Sequence, residues 1–137
     1  SARQLQDAIV IALREGHKHI LSPLLETGIS LNFGFWECGA PSAYTPLLWA
    51  LEEGDAQLLK LLLAGGNADP NYGMGNEDHI PLLQAVMKDQ EQMVRILVGL
   101  TSRLHHMRAL ALSMDYCDGQ MAQILLENST LPDFEVL

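Results

Sequence analysis

The stretch that decides the fold is residues 45–54, which read TPLLWALEEG. Thirty-five residues further along the chain, residues 80–89 read IPLLQAVMKD and match it position by position. In the first copy, Thr45 can cap a helix with its hydroxyl group, and Pro46 suits a first helical turn, where its missing N–H costs no hydrogen bond. Gly54 then ends the helix in a conformation that a Cβ atom would resist. The pattern therefore predicts a short helix that recurs along the chain.

A second apolar half-pattern follows each copy and completes a unit. Residues 58–66 read LLKLLLAGG after the first copy, and residues 93–99 read MVRILVG after the second. Residues 9–28 carry both halves upstream, and residues 110–126 carry a weaker fourth version. The apolar residues have helical spacing, and neither helix of a unit can bury its apolar stripe alone, so neighbouring units must stack. We expect one domain of residues 1–137, with units at 3–40, 41–75, 76–103 and 104–128 and a tail at 129–137.

This unit resembles the ankyrin repeat. The residues that carry the resemblance are Thr45, Pro46, Leu47, Ala50, Gly54, Leu62 and Leu63, followed by a glycine. The resemblance extends to about Asn128, and the second and third units are closest to the family pattern. It implies an all-α ankyrin-repeat solenoid of about four helix-turn-helix units, with long fingers after units one and two. It also implies that the domain binds another protein or a peptide and is not an enzyme.

Composition narrows the class of partner. The chain has 8 Lys and Arg residues against 17 Asp and Glu residues, which gives a formal net charge of −9. A protein that binds bare nucleic acid needs a basic surface, so direct nucleic-acid binding is not expected, whereas an acidic surface attracts basic partners. No apolar run reaches the length of a membrane span, and the first residues do not form a signal peptide.

The two cysteines, Cys38 and Cys117, form no CxxC pair. These two cysteines could form one disulfide, but a chain with this much aliphatic core does not need one for stability. We therefore expect a reduced, intracellular setting in the nucleus or cytoplasm, with the protein as a monomer or as a subunit of a complex.

No residue pattern indicates catalysis, a cofactor or a metal site. His105 and His106 are adjacent, so they point to different sides of a helix and cannot easily share a metal ion. No nucleophile has a base at a recognisable spacing, and no glycine-rich phosphate loop follows a strand. We expect all five histidines to be structural. One alternative places catalysis elsewhere, with this domain as the targeting part of a longer enzyme chain.

The resemblance also implies where a partner binds. In the ankyrin family, partners usually dock on the concave side, which the fingers and the exposed positions of the first helices form. Carried over to this sequence, that surface comprises Arg14, Glu15, Glu52, Glu53, Glu77, Asp78, Met87, Lys88, Asp115 and Tyr116. Most of these residues are acidic, which suits a basic peptide. Each charge taken singly can equally be an ordinary solvated side chain.

One group within this surface resembles the methyl-lysine cage in the ankyrin domains of the euchromatic histone-lysine methyltransferases. Tyr44 and Trp49 would be the aromatic walls, and Glu52 would be the carboxylate, which together attract a methylated ammonium group. This sequence departs from that family at Gln84, where the next repeat should supply a second tryptophan. Trp36, Phe35 or Met87 would have to complete the cage, or the cage is incomplete. In the alternative, Trp49 fills core volume between repeats.

The finger at residues 29–44 is longer than a typical ankyrin finger and carries Phe33, Phe35 and Trp36. These rings either fold back to seal the end of the solenoid or form a surface that a folded partner contacts. The second alternative gives a different function: a structural scaffold that holds a partner through this aromatic finger inside a larger complex.

Overall fold

The computed structural model describes residues 2–36, 39, 43–64, 68–73, 75–76, 79–116 and 119–127. These residues form helices joined by turns and fingers, with one isolated β-bridge between Phe35 and Tyr44. The helices are α1 (Ala2–Glu15), α2 (Lys18–Leu25), α3 (Pro46–Glu53), α4 (Ala56–Ala64), α5 (Pro81–Met87), α6 (Glu91–Val98), α7 (Arg103–Tyr116) and α8 (Gly119–Glu127). The prediction of an all-α protein is confirmed.

The helices are arranged as four stacked pairs. Consecutive helices pack against each other as α1–α2, α3–α4, α5–α6 and α7–α8. The first helices of the pairs also form one row, α1, α3, α5 and α7, and the second helices form another, α2, α4, α6 and α8. The core lies between the two rows, where Leu51, Leu59, Leu62, Leu82 and Leu97 are fully buried.

The repeated motif sets the ends of the first helices. The Oγ1 atom of Thr45 accepts a hydrogen bond of 3.2 Å from the backbone N–H of Leu48, as the predicted cap requires. Gly54 ends α3 in the left-handed region, with φ of 67°. Asp89, which occupies the same motif position after α5, is the one non-glycine residue with positive φ in the described part of the chain, at 55°. The third unit therefore keeps the left-handed turn without the glycine that favours it.

Polar side chains connect the fingers to one another. The Oδ1 atom of Asn32 accepts from the N–H of Asp69 at 2.8 Å, and the Oδ1 atom of Asn71 accepts from the N–H of Ser102 at 2.7 Å. The Oδ1 atom of Asp69 accepts from the N–H of Asn71 at 2.9 Å, so one chain of contacts runs from the first finger to the start of α7. His105 joins this chain through Nδ1, which lies 2.9 Å from Ser102 Oγ and 3.1 Å from Asn71 Oδ1.

The substitution Asp89→Gly should stabilise the fold. The left-handed region costs an ordinary L-residue about 1–2 kcal/mol and costs glycine almost nothing, and part of that gain is lost to the greater freedom of glycine in the unfolded chain. We expect the free energy of unfolding, measured by urea denaturation, to rise by about 0.5–1 kcal/mol. The matched control is Gly54→Ala, which should lower it because φ there is also positive, although nothing lies within 4 Å of the added Cβ. A loss of stability in Asp89→Gly would show that the carboxylate contributes more than the backbone strain.

Candidate protein-binding site

Trp49 lies in the core between the first two helix pairs. Its side chain is 9% exposed, and its Nε1–H donates a hydrogen bond of 3.2 Å to the backbone carbonyl of Leu13 in α1. Its ring packs against Phe35 at 5.9 Å and, edge-to-face, against Tyr44 at 5.5 Å. Trp49 therefore packs with both aromatic neighbours inside the core and is not an open wall beside Tyr44. The resemblance to a methyl-lysine cage is not supported, and the core alternative describes the position of Trp49.

Glu52 is exposed on α3, but its carboxylate already has a cation. The Nζ atom of Lys88 in α5 lies 3.0 Å from Glu52 Oε2. This ion pair stands beside a cavity of about 120 Å³ between α3 and α5. The cavity is lined by Ala43, Tyr44, Leu48, Glu52, His79, Gln84 and Lys88. Tyr44 and Glu52 therefore line one cavity, and the cation beside the Glu52 carboxylate there is Lys88.

The remaining predicted residues are spread over several surfaces. Glu53 lines a different cavity, of about 300 Å³, between the α1–α2 turn and α3. There Lys18 Nζ lies 2.6 Å from Asp55 Oδ2, and this hydrogen bond holds the pKa of Asp55 below its ordinary value. Met87 is half-buried in α5, and Asp115 is exposed in α7. Glu77, Asp78 and the side chain of Tyr116 lie outside the described residues, as do Cys38 and Cys117.

The three aromatic rings of the finger at residues 29–44 do not share one environment: two pack against the core, and one is exposed. Phe35 is buried, and its backbone forms two hydrogen bonds of 2.8 Å with that of Tyr44, one in each direction. Phe33 is half-buried against the same core. Both rings seal the first helix pair. Trp36 differs, because its side chain is 67% exposed.

Trp36 forms one wall of an open groove against α1, which we call the α1–finger groove. The groove has a volume of about 400 Å³ and is lined by Asp7, Val10, Ile11, Arg14, Phe35 and Trp36. Its α1 residues have the spacing i, i+3, i+4 and i+7, so they share one face of that helix. Ile11 is 57% exposed in the groove, and the Nη2 atom of Arg14 donates a hydrogen bond of 2.8 Å to the backbone carbonyl of Trp36. This hydrogen bond attaches the finger to α1 at Trp36, the residue whose indole is exposed.

Sequence reasoning missed the α1 side of this groove. Ile11 lies inside the apolar run at residues 8–13, which a helix of the core explains without any surface role. The signal was present, however, since Ile9, Ala12 and Leu13 already fill the buried side of α1 and leave Ile11 on the opposite side. An apolar residue opposite a complete buried face indicates a second contact surface.

Two features are absent from the described residues. None of the helices there is both long and apolar enough to cross a membrane. No group of three or more His, Cys, Asp or Glu side chains in the same ranges is placed to hold a metal ion.

Comparison with models of protein families matches residues 43–73 to the ankyrin repeat. The match covers the end of the first finger, α3, α4 and the start of the second finger. Comparisons with curated proteins and with solved structures return no match. Together with the four stacked helix pairs, the match confirms the predicted fold class, an all-α ankyrin-repeat solenoid.

The burial of Trp49 predicts a large difference between the two tryptophans. The substitution Trp49→Phe removes the indole hydrogen bond to the Leu13 carbonyl, which keeps only the 3.4 Å bond from the Gly16 N–H, and it also shrinks a buried ring. We therefore expect the free energy of unfolding to fall by about 1–3 kcal/mol. The matched variant Trp36→Phe changes an exposed ring and should stay within about 0.5 kcal/mol of the unmodified protein. Urea denaturation measures both. Equal effects in the two variants would contradict the placement of Trp49 in the core.

Proposed function

We propose that this domain binds another protein through the α1–finger groove. Ankyrin repeats generally mediate protein–protein interaction, and residues 43–73 match that repeat. The observation that carries the proposal is Trp36, a tryptophan that is 67% exposed and stands on a fixed backbone. This proposal corresponds to the alternative in which the aromatic finger at residues 29–44 holds a partner.

The position of Trp36 is favourable for binding because its backbone is already ordered. The residue before it, Phe35, is held by two backbone hydrogen bonds to Tyr44, and the carbonyl of Trp36 itself accepts from Arg14. A partner that covers the indole therefore does not have to order the finger first, which lowers the entropic cost of association. Tryptophan is also among the residues that contribute most to interface energies.

The lining of the groove indicates the chemistry of the partner. Val10, Ile11, Phe35 and Trp36 offer apolar surface that suits one or two aliphatic or aromatic side chains. Asp7 lies at the same surface, is exposed and makes no ion pair with a described residue. The chain as a whole carries a net charge of −9. The partner segment we propose has an apolar anchor beside a lysine or arginine that meets Asp7.

A displayed library of random peptides tests this proposal, because the domain itself selects the sequences that it binds. We expect the selected peptides to combine an apolar anchor with a basic residue. Their dissociation constants, measured by calorimetry, should rise about 30-fold in Trp36→Ala, which corresponds to the ~2 kcal/mol typical of a central interface residue. Ile11→Ser should weaken binding in the same way. Lys60→Ala, a substitution at an exposed position of α4, is the control and should leave binding unchanged. Peptides that bind all these variants equally would contradict the proposal.

A basic or lysine-methylated histone tail at the cavity between α3 and α5 is a second candidate. The observation that favours it is the Glu52 carboxylate beside the Tyr44 ring, with a lysine ammonium already in place. That ammonium belongs to Lys88, so an incoming lysine would have to displace it. Nuclear or cytoplasmic partners would both fit this candidate, and neither candidate needs a catalytic group.

The substitution Lys88→Ala separates the two candidates. It frees the Glu52 carboxylate, so binding of a histone-tail peptide at this cavity should strengthen about 3- to 10-fold, the range of a partly exposed ion pair of about 1 kcal/mol. Glu52→Gln should abolish that gain, and methylated and unmethylated peptides should be compared in the same fluorescence titration. If Lys88→Ala binds these peptides no better than the unmodified protein, the cavity is not a lysine site.

A further inference from the structure

The outward side of α1 carries three exposed side chains in a line, which we call the Asp7–Glu15 row. Asp7, Ile11 and Glu15 follow one another at intervals of four residues, so they are neighbours along the helix surface. Ile11 is 57% exposed, and both acidic residues are exposed. The row therefore presents a negative charge, an aliphatic side chain and a second negative charge, in that order.

The Asp7–Glu15 row runs from the α1–finger groove into a second cavity. Asp7 and Ile11 line the groove, whereas Glu15 lines the cavity of about 300 Å³ between the α1–α2 turn and α3, which we call the turn cavity. Arg14 lines both, so the two cavities are adjacent along α1. A segment that occupies the groove therefore reaches the turn cavity if it continues along the helix.

Two exposed carboxylates border the turn cavity, one from each of the first two helix pairs. Glu15 ends α1 and Glu53 ends α3, each directly before a glycine with positive φ. Two cations also line the cavity: Lys18 is paired with Asp55 at 2.6 Å, and Arg14 donates from Nη2 to a carbonyl of the finger. Neither Glu15 nor Glu53 makes an ion pair with a residue that the structure describes. Their negative charge can therefore attract a cation from a partner.

We propose that the partner segment of the α1–finger groove is extended and contacts the whole Asp7–Glu15 row with alternate residues. Its first basic residue meets Asp7, and its apolar anchor, two residues further along, covers Ile11. A second basic residue, again two residues further along, enters the turn cavity between Glu15 and Glu53. This inference rests on the proposed function, to which it adds the second basic residue, its binding place and the spacing.

The spacing of the row fits an extended chain. Successive positions of the row are four residues apart in a helix, which is a rise of about 6 Å. In an extended chain, residues on the same side are two apart, which is about 6.6 Å. Over the whole row the two spacings differ by only about 1 Å. A helical segment suits this place less well, because its diameter with side chains is about 10–12 Å and the finger stands beside the row.

A lysine or an arginine suits the turn cavity for two reasons. Its aliphatic stem can lie against the apolar part of the lining, to which Leu21 and Leu58 belong, while its charged end stays near water. Its charge also lies between two carboxylates that repel each other when no cation separates them. An acidic residue in the same place would add a negative charge beside Glu15 and Glu53, so the cavity also discriminates against acidic segments.

Selection from a displayed library of random peptides tests this proposal, because the selected sequences show where each residue type is enriched. With the unmodified domain, we expect basic residues two positions before and two positions after the apolar anchor. In the double variant Glu15→Gln/Glu53→Gln, one of these two positions should lose its enrichment, while the anchor and the other basic residue remain. Asp7→Asn should remove the enrichment at the opposite position. The matched control is Glu26→Gln, which neutralises an exposed carboxylate that lines neither cavity.

Calorimetry with one selected peptide measures the size of the effect. The basic residue that the double variant no longer selects is replaced with glutamine in the peptide. For the unmodified domain, this change should raise the dissociation constant about 5-fold, the effect of one partly exposed ion pair. For Glu15→Gln/Glu53→Gln, the same change should leave the dissociation constant unaltered, because the partner carboxylates are already absent.

The results that contradict this inference are distinguishable from those that contradict the proposed function. Peptides that depend on Trp36 but keep both basic positions in Glu15→Gln/Glu53→Gln overturn the inference and leave the proposed function in place. Basic residues four positions from the anchor, as in a helix, overturn the extended conformation. A selection that yields no peptide dependent on Trp36 contradicts the proposed function, and this inference then fails with it.

Discussion

Most of these helices exist because neighbouring pairs stack on one another. Six of the eight described helices, α2 to α6 and α8, have seven to nine residues, and an isolated helix of fewer than about 12–15 residues is marginal in water. Their stability must therefore come from the apolar surface that adjacent pairs bury, such as the fully buried leucines of α3 to α6. The hydrogen bond from Trp49 to the carbonyl of Leu13 is one part of this stacking. The indole of Trp49 therefore helps to hold the first two helix pairs together.

The fingers depend on the same stack for their shape. Each finger is attached at several points: Asn32 to Asp69, Asn71 to Ser102, and Phe35 to Tyr44. Short polar side chains satisfy backbone N–H groups that helices or sheets would otherwise satisfy. Because the anchors sit on successive pairs, each finger has a defined position only when the pairs are stacked. The exposure of Trp36 is therefore a property of the assembled solenoid.

The sequence predicted the fold well because the deciding information is local and repeated. Residues 45–54 and 80–89 specify the starts of α3 and α5, and the motif position shared by Gly54 and Asp89 adopts the same left-handed turn in both units. The site was harder to predict, because the roles of similar side chains are set by residues far away in the chain. Trp49 is buried by a contact with Leu13, and Glu52 is neutralised by Lys88; each partner lies thirty-six residues away in the sequence. The motif of a single unit therefore predicts neither contact, because each partner belongs to a neighbouring unit.

The two ends of the described stack expose apolar surface for one physical reason. A helix inside the row has a neighbour on each side, whereas α1 and α7 each have a first-row neighbour on one side only. Their sequences nevertheless place apolar residues on both sides, with Ile11 outward on α1 and Leu104 and Met114 outward on α7. At α1, the finger provides one wall and leaves a groove whose rim is the exposed indole of Trp36. At α7, no described residue provides such a wall. A groove with a fixed wall suits the insertion of a side chain from a partner, because the inserted side chain then meets apolar surface on two sides. This difference between the two ends is why we assign the partner to the α1 end.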